Sequence, residues 1–332
     1  MRRACMLAAT AALVAAFGGV GTEAKAQFSR ETPIVQAVRK TQGAVVSLRV
    51  EKKGVYGRKE SVGSGVIVDE RGYVVTNRHV IASADQIIVR LLDGTDLRAR
   101  VVAEDPGHDL AILRVQAGRR LQALPLGPAS DLMVGETVIA IGHPFGYTNT
   151  VSTGIISALG REVTLPSGEL LGNLIQINAS INPGNSGGPL FNINGELIGI
   201  NVALRENAQG IAFAINADTV QQVLSRHLSA VNLAKVVHGL RCVETVVPEG
   251  AARQQVMVRE LVNPTAASAG LKPGDHILRV GDLPVSNRFD VERALWECKA
   301  GDKVPLTVAR QGKVITVDLT LAAASEDPGR ER

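Results

Sequence analysis

Short runs of Val and Ile dominate the first two thirds of the chain, and Gly, Pro, Asn or Asp separates one run from the next. Strand-like runs at this close spacing, with turn residues between them, are typical of an all-β barrel or sandwich. We therefore predict strands at Ala44–Val50, Gly65–Val68, Tyr73–Thr76, Gln86–Leu91, Leu110–Val115, Thr137–Ile141, Leu197–Val202 and Gly210–Ile215.

Helical periodicity appears only at the two edges of this region. Ile34, Val35 and Val38 predict a short N-terminal helix. A second apolar stripe with i, i+3, i+4 spacing predicts an amphipathic helix; its residues are Val220, Val223, Leu224, Leu228 and Val231. This helix is predicted to close the first domain, 27–230. Asn216 and Asp218 are its alternative N-caps, and 231–239 is the predicted linker.

A smaller unit follows over 240–323. We predict its strands at Leu240–Val247, Gln255–Val262, His276–Val280, Val304–Arg310 and Val314–Leu321. A helix, Phe289–Lys299, interrupts them, with Val291, Leu295 and Trp296 facing inward. Gln311-Gly312 predicts a hairpin turn between the last two strands. The polar tail, 324–332, is predicted to be disordered.

The first 26 residues have the pattern of a secretory signal peptide. Arg2 and Arg3 precede an apolar, Ala-rich stretch, and Ala24-Lys25-Ala26 forms an A-x-A cleavage site. We predict cleavage before Gln27 and a periplasmic mature protein; an uncleaved N-terminal membrane anchor is the alternative. No later stretch approaches the roughly 20 apolar residues of a membrane span.

Composition supports a soluble globular protein and gives little support to nucleic-acid binding. The chain is 45% hydrophobic and 20% charged. Its formal charge is +4, and half of this comes from the predicted signal peptide. The mature chain would keep two cysteines, Cys242 and Cys298, which is too few for a disulfide framework; whether they pair is left open.

One serine lies inside a glycine-rich turn, Gly184 to Pro189. A nucleophilic serine needs an exposed Oγ on a tight turn and backbone N–H groups that face the developing oxyanion. Glycines permit that backbone, although a plain hairpin loop is the alternative.

Gly63-Ser64-Gly65 lacks the third glycine and the following helix of a dinucleotide-binding loop, and we interpret it as the start of a strand.

The serine needs a base, and the order His79, Asp109, Ser186 supplies one. A lone histidine is more often a surface or capping residue. In a protein of two barrels, however, this order places the base and its orienting carboxylate on one barrel and the nucleophile on the other. The cleft between the barrels would hold all three.

These residues resemble the chymotrypsin-type serine proteases, and specifically the HtrA/DegP family. The matching segments are Val62–Ile67, Val74–Val80, Asp109–Leu113, Ile141–Gly146, Ile181–Leu190 and Gly210–Ile215. The second unit resembles a PDZ domain, with its best match over Asn263–Gly281. The resemblance implies a fold of two six-stranded antiparallel β-barrels (trypsin-like), all-β, followed by a small α+β PDZ domain.

The resemblance also implies roles for individual residues. Ser186 would be the nucleophile, His79 the base and Asp109 its orienting group, while the N–H groups of Gly184, Asn185 and Ser186 would form the oxyanion hole. No metal or cofactor is expected. The PDZ peptide groove would be lined by Leu240, Arg241, Cys242 and Val243, and would bind peptide C-termini or internal segments.

Several positions depart from the family pattern. His143 stands where the family usually has Asn, and Asn178 where an Asp is common. Arg241 lies where the PDZ carboxylate-binding loop is usually apolar. Asn185 is neutral, so it cannot pair with a new N-terminal ammonium as in digestive proteases. The short segment Glu51–Ser61 favours a homotrimer over a large cage.

The primary specificity pocket is predicted to be small and apolar. Its base would be Ser180, six residues before the nucleophile, and Ile211 and Phe213 would form its walls. The resemblance to the HtrA/DegP family implies an ATP-independent serine endopeptidase that degrades or processes misfolded envelope proteins. The alternative is a chaperone or peptide-binding module with little turnover.

Overall fold

The computed structural model describes residues 30–54, 57–128, 131–143, 149–165, 168–202, 210–246 and 254–324. The predicted signal peptide, the tail from residue 325 onward and part of the matched segment Ile141–Gly146 lie outside these ranges. Within them, no helix is long and apolar enough to cross a membrane.

The first six strands close into an antiparallel barrel with the order β1-β2-β3-β6-β5-β4. They are β1 (Val45–Gly54), β2 (Gly57–Asp69), β3 (Tyr73–Asn77), β4 (Gln86–Arg90), β5 (Asp96–Asp105) and β6 (Leu110–Val115). Val, Ile and Leu from β1, β2, β3, β4 and β6 fill the interior, as the apolar runs in the sequence predict, and Leu97 and Val102 of β5 are partly buried against them. Closure leaves this sheet without a free edge.

The next six strands form a second closed barrel, with the order β10-β11-β12-β9-β8-β7. They are β7 (Thr137–Gly142), β8 (Thr150–Thr164), β9 (Leu170–Ile177), β10 (Pro189–Asn192), β11 (Leu197–Val202) and β12 (Ala212–Asn216). The predicted all-β fold of two six-stranded barrels is therefore confirmed.

Among the described residues, the α-helices of this part of the chain are α1 (Pro33–Thr41), α2 (Arg78–Ile81), α3 (Ala217–His227) and α4 (Ala230–Leu233). The Asn216 side chain accepts a hydrogen bond from the Asp218 N–H at 3.0 Å, so Asn216 is the N-cap of α3. The predicted linker, 231–239, contains most of α4 and a two-residue strand, β13 (Val236–Val237).

The second domain is a sheet with the order β14-β15-β16-β18-β19, and β17 pairs with β16. Its strands are β14 (Leu240–Val246), β15 (Gln254–Leu261), β16 (His276–Val280), β17 (Leu283–Pro284), β18 (Lys303–Arg310) and β19 (Lys313–Thr320). The last strand, β20 (Ala322–Ala323), pairs with β13. Gln311 and Gly312, where the sequence predicts a hairpin turn, both have positive φ, at 49° and 76°, as a type I′ turn requires.

Two helices complete this domain: α5 (Pro264–Ser268) and α6 (Arg288–Ala294). Helix α6 is shorter than the predicted Phe289–Lys299, because Leu295 already caps it. Val291 and Leu295 pack into the domain core as expected.

Trp296, in contrast, contacts the first domain. Its ring centroid lies 4.9 Å from that of Tyr73 on β3, and its Nε1–H donates to the Leu228 carbonyl at 2.7 Å. The Arg71 guanidinium stacks over the indole at 4.2 Å. The prediction that Trp296 faces the core of its own domain is wrong, since the indole joins the two domains.

Candidate active site

His79 and Asp109 meet at the end of the first barrel. His79 lies in α2, directly after β3, and Asp109 immediately precedes β6, which pairs with β3. His79 Nδ1 is 2.6 Å from Asp109 Oδ2, and the His79 backbone N–H donates to Asp109 Oδ1 at 2.9 Å. Contact with a carboxylate favours a proton on Nδ1, which leaves Nε2 free to accept one.

The backbone fixes Asp109 as firmly as its side chain does. Its φ of 51° lies in the left-handed region, which Asp tolerates better than most residues. The Asp109 carbonyl accepts the Arg78 N–H at 3.0 Å and the Asn77 side-chain amide at 3.1 Å. The carboxylate is almost fully buried, at 3% exposure for the residue, whereas the His79 side chain is 45% exposed. The imidazole can therefore reach a ligand.

The other nearby histidine, His108, belongs to a different cluster. Its Nδ1 lies 2.8 Å from Asp105 Oδ1, and Asp105 also pairs with Arg226 at 3.3 Å. The carboxylate partner of His108 is therefore Asp105, whereas that of His79 is Asp109.

Ser186 lies on two successive turns before β10. The first runs from Asn182 to Asn185 and is closed by a 2.9 Å bond from the Asn185 N–H to the Asn182 carbonyl. Pro183 and Gly184 are its central residues, and Gly184 has a φ of 103°. Pro followed by a residue of positive φ is the signature of a type II turn. The glycine is required here, and it fixes the plane of the peptide that carries the Gly184 N–H.

The turn that carries Ser186, the predicted nucleophile, is packed against the segment that precedes His79. A Cβ atom on Gly187 would lie 2.2 Å from Thr76 Oγ1 and 3.0 Å from the Asn77 backbone nitrogen. The Ser186 carbonyl accepts the Ser64 N–H of β2 at 2.9 Å. The two barrels thus bring the turn of Ser186 beside the strand that leads into His79.

His143 lies behind this turn and is buried. The Ser64 hydroxyl accepts the His143 N–H at 2.9 Å, and the imidazole Nδ1 is 3.5 Å from the same oxygen. Burial lowers the pKa of His143 from 6.5 to about 4, so the ring is neutral near pH 7. His143 is separate from the pair formed by His79 and Asp109.

The two asparagines singled out in the sequence have different environments. Asn185 is buried, and its Oδ1 has no hydrogen-bond partner among the described residues. A Cβ atom on Gly142 would lie 2.4 Å from that oxygen, so the amide packs closely on β7. The Asn178 Oδ1 accepts the Ile155 N–H of β8 at 2.7 Å, which ties the end of β9 to its neighbour.

The residues expected at the specificity pocket lie near the ends of neighbouring strands. Ser180 follows β9 and is exposed; its N–H donates to Ser152 Oγ at 2.9 Å. Phe213 on β12 pairs with Gln176 on β9. Ile211 immediately precedes β12 and is 49% exposed. Their role stays a prediction.

The residues expected at the PDZ groove lie on β14, which is at the edge of its sheet. Leu240 is buried in the domain core, and Arg241 pairs with Glu260 on β15 at 2.8 Å. Both cysteines are free thiols. Burial raises the pKa of Cys242 to about 12, which disfavours its reactive thiolate form. Glu244 on the same strand accepts the Arg288 N–H of α6 at 2.8 Å and also contacts Gln221 of α3.

Comparison with known proteins assigns both halves of the chain. The family described as trypsin-like peptidase domain matches residues 63–200, and the PDZ domain family matches 198–321. A solved structure described as "HtrA-type protease AlgW with tripeptide" is 34% identical, covers 87% of this chain and 96% of its own, and superposes with a TM-score of 0.55. The chain belongs to the HtrA family of serine proteases.

Other HtrA relatives agree. The serine endoprotease from Yersinia pestis is 33% identical, with a TM-score of 0.52 and coverage of 89% of this chain and 99% of its own. A probable periplasmic serine endoprotease DegP-like from Pseudomonas putida is 41% identical over 81% of this chain. The periplasmic serine endoprotease DegP of Salmonella typhimurium is 38% identical over 80%. This chain spans only 57% and 58% of those two proteins.

His143 provides a stability test that is independent of activity. The unfolded chain takes up a proton at the ordinary imidazole pKa, whereas the folded chain does so only near pH 4. Above pH 6.5 the imidazole is neutral in both states and its protonation does not affect stability. As the pH falls from 6.5 toward 4, the unfolded chain binds the proton first, so the free energy of unfolding falls. At about 1.4 kcal/mol per tenfold change in proton affinity, the loss approaches about 3 kcal/mol.

We expect His143→Asn to flatten this dependence. Urea unfolding between pH 7.5 and 4.5 should show the wild-type free energy of unfolding falling faster than that of the variant. Parallel curves for the two proteins would contradict a buried neutral imidazole at this position.

Proposed function

We propose that the chain is a serine endopeptidase in which Ser186 attacks the peptide carbonyl and His79 is the base. The observation that carries the proposal is the 2.6 Å contact of His79 Nδ1 with the buried Asp109 carboxylate. With its proton held on Nδ1, the imidazole presents Nε2 as the acceptor for the Ser186 proton. Asp109 stabilises the imidazolium that forms, and His79 then protonates the leaving amine.

The oxyanion hole of this proposal consists of the backbone N–H groups of Gly184 and Ser186. The Asn185 N–H, expected from the sequence as a third donor, closes the turn instead by donating to the Asn182 carbonyl at 2.9 Å. The type II turn at Pro183-Gly184 supports it, because that turn fixes the peptide plane before substrate binds. Preorganised donors lower the barrier most, since they need no reorganisation as charge develops. Activation cannot use an ammonium–carboxylate pair, because Asn185 is neutral and its buried Oδ1 packs against Gly142.

We further propose that the substrates are unfolded or misfolded proteins of the bacterial envelope, degraded or processed without ATP, and that the protease acts as a homotrimer in the periplasm after removal of residues 1–26. The names of the periplasmic relatives support this compartment. The second domain would bind peptide C-termini or internal segments along the edge strand β14, in the mode by which a peptide adds to a sheet edge.

Digestion of reduced, unfolded casein tests the proposed activity directly. The wild-type chain from residue 27 should fragment casein without ATP, and Ser186→Ala should leave it intact. Casein that stays soluble but uncut with both proteins would instead indicate the chaperone or peptide-binding alternative.

The cut sites test the proposed pocket. Ser180 offers no carboxylate to a Lys or Arg side chain, and Ile211 and Phe213 are apolar. Such a pocket gains about 0.8 kcal/mol for each buried methylene and penalises an unpaired charge. Mass spectrometry of the casein fragments should therefore show cleavage after Val, Ala or Ile. A majority of cuts after Lys or Arg would contradict this pocket.

A further inference from the structure

Ser64 is a fully buried residue of β2 between two glycines. A Cβ atom on Gly63 would lie 2.4 Å from Val80 Cγ1, and one on Gly65 would lie 2.8 Å from Val74 Cγ1. Alternate residues of a strand face opposite sides. The glycines therefore allow close packing on one side of β2, while the Ser64 side chain lies on the other, where it contacts the second barrel.

Two hydrogen bonds join Ser64 to the nucleophile turn. Its hydroxyl donates to the Gly184 carbonyl at 2.6 Å, and its backbone N–H donates to the Ser186 carbonyl at 2.9 Å. Gly184 and Ser186 are the two residues whose own N–H groups form the proposed oxyanion hole. One residue of the first barrel thus holds both of them.

The same barrel carries His79 and Asp109, and Ser64 is connected to their strands. The Ser64 carbonyl accepts the Thr76 hydroxyl at 2.7 Å, and Val66 on β2 pairs with Val75 on β3. The distance between the oxyanion donors and the base therefore depends on the contact between Ser64 of β2 and the turn of Ser186 in the second barrel.

We infer that Ser64 is a positioning residue: its hydroxyl holds the Gly184 carbonyl and so aligns the oxyanion donors of the second barrel with the base on the first. The inference rests on the proposed function. A hydroxyl has one proton and two lone pairs, so Ser64 can donate to Gly184 while it accepts the His143 N–H. In a dry interface such linked bonds are stronger than in water.

Removing the hydroxyl should loosen the turn without unfolding the protein. The His143 N–H also lies 3.4 Å from the Gly184 carbonyl, so both groups retain a partner in Ser64→Ala. Loss of a direct oxyanion donor costs about 10²–10³-fold in rate, and a residue that only positions the donors should cost less, about tenfold in kcat. KM should stay within about twofold, because ground-state binding does not use the hole.

A peptide aldehyde with Val at its reactive end separates a positioning role from a structural one. Its carbonyl carbon forms a bond with Ser186 Oγ, the carbonyl π electrons move to oxygen, which enters the hole, and His79 receives the serine proton. The corresponding peptide alcohol cannot form this adduct. In Ser64→Ala the affinity for the aldehyde should fall by the same factor as kcat/KM, and the affinity for the alcohol should not change.

Two further variants make the outcome decisive. Thr41→Val is the matched control, since the Thr41 hydroxyl is equally buried and donates at 2.8 Å to a carbonyl of its own helix α1, that of Ala37; its kcat should match the wild type. Ser64→Cys keeps the side-chain connectivity but places a larger atom and a poorer donor there, and it should lose activity as Ser64→Ala does. Wild-type kcat in both Ser64 variants, or equal losses of aldehyde and alcohol affinity, would overturn the inference alone. A wild-type chain that neither turns over peptide nor binds the aldehyde would overturn the proposed function as well.

Discussion

Replacing Ser186 or His79 by Ala should each reduce kcat by about 10⁶-fold, because nucleophile and base act as one unit and removal of either leaves only binding and the oxyanion hole. Asp109→Asn should cost about 10⁴-fold, since an amide at this position no longer favours the required imidazole tautomer. Hydrolysis of a peptide substrate measures kcat for all three variants, and thermal melting curves should show that each variant is folded.

His143→Asn is the matched control for the base. It substitutes another histidine, one that is buried close to the turn of Ser186, but His143 contacts Ser64 and not Asp109. We expect its activity at pH 7.5 to be close to that of the wild type. If His143→Asn were as damaging as His79→Ala, the assignment of His79 as the base would be wrong.

Gly187→Ala should be among the most damaging single-atom additions in the chain. Gly187 has a φ of 79°, and its Cβ would overlap Thr76 Oγ1 at 2.2 Å and the Ser64 carbonyl at 2.4 Å. One of these atoms is backbone, so it cannot rotate away. Left-handed strain of about 1–2 kcal/mol and overpacking of about 1–3 kcal/mol should add. We expect a large drop in the free energy of unfolding and loss of turnover, because the turn of Ser186 must shift.

Gly168→Ala separates strain from overlap. Gly168 has a similar φ of 89° in the same barrel, but no atom of the described residues lies within 4 Å of its Cβ position. Only the backbone strain should remain, with activity intact. Equal destabilisation of the two variants in urea unfolding would show that the turn is not packed against Ser64 and Thr76 as described.

The sequence was most informative where strands are apolar on both faces. The boundaries of β6 and β11 match their predicted runs, because nearly every residue in them is buried. Strand β5 was not predicted: it reads Asp96–Asp105, and charged or exposed positions interrupt its pattern. Strand β8 was also not predicted. Its register with β9 shifts three times, so its apolar and polar residues do not alternate regularly over the whole strand.

The segment Glu51–Ser61 shows a related limit. No strand is predicted within it, yet β1 and β2 continue as a paired arm in which Glu51 pairs with Glu60 and Lys52 with Lys59. Charged residues populate this arm, so it lacks the alternation that marks a half-buried strand. Trp296 was misassigned for another reason, since its partner Tyr73 lies more than two hundred residues earlier in the chain.

For the candidate site, residue order predicted that His79 and Asp109 meet but not what holds them. His79 and Asp109 came from motif spacing, and the structure brings them together. The environments of Ser64 and His143 could not be predicted, because their contacts cross from one barrel to the other. The flanking glycines of Ser64 were the only signal, since two small neighbours in a strand indicate close packing.

Labelling with a fluorophosphonate tests the central claim most directly, because the reagent phosphonylates only a serine that a neighbouring base activates. The mature wild-type chain should take up one label, which peptide mass spectrometry should locate on Ser186. Ser186→Ala should take up none, and His79→Ala should react far more slowly. A wild-type chain that stays unlabelled, or a label on any residue other than Ser186, would contradict the proposed activation of Ser186 by His79.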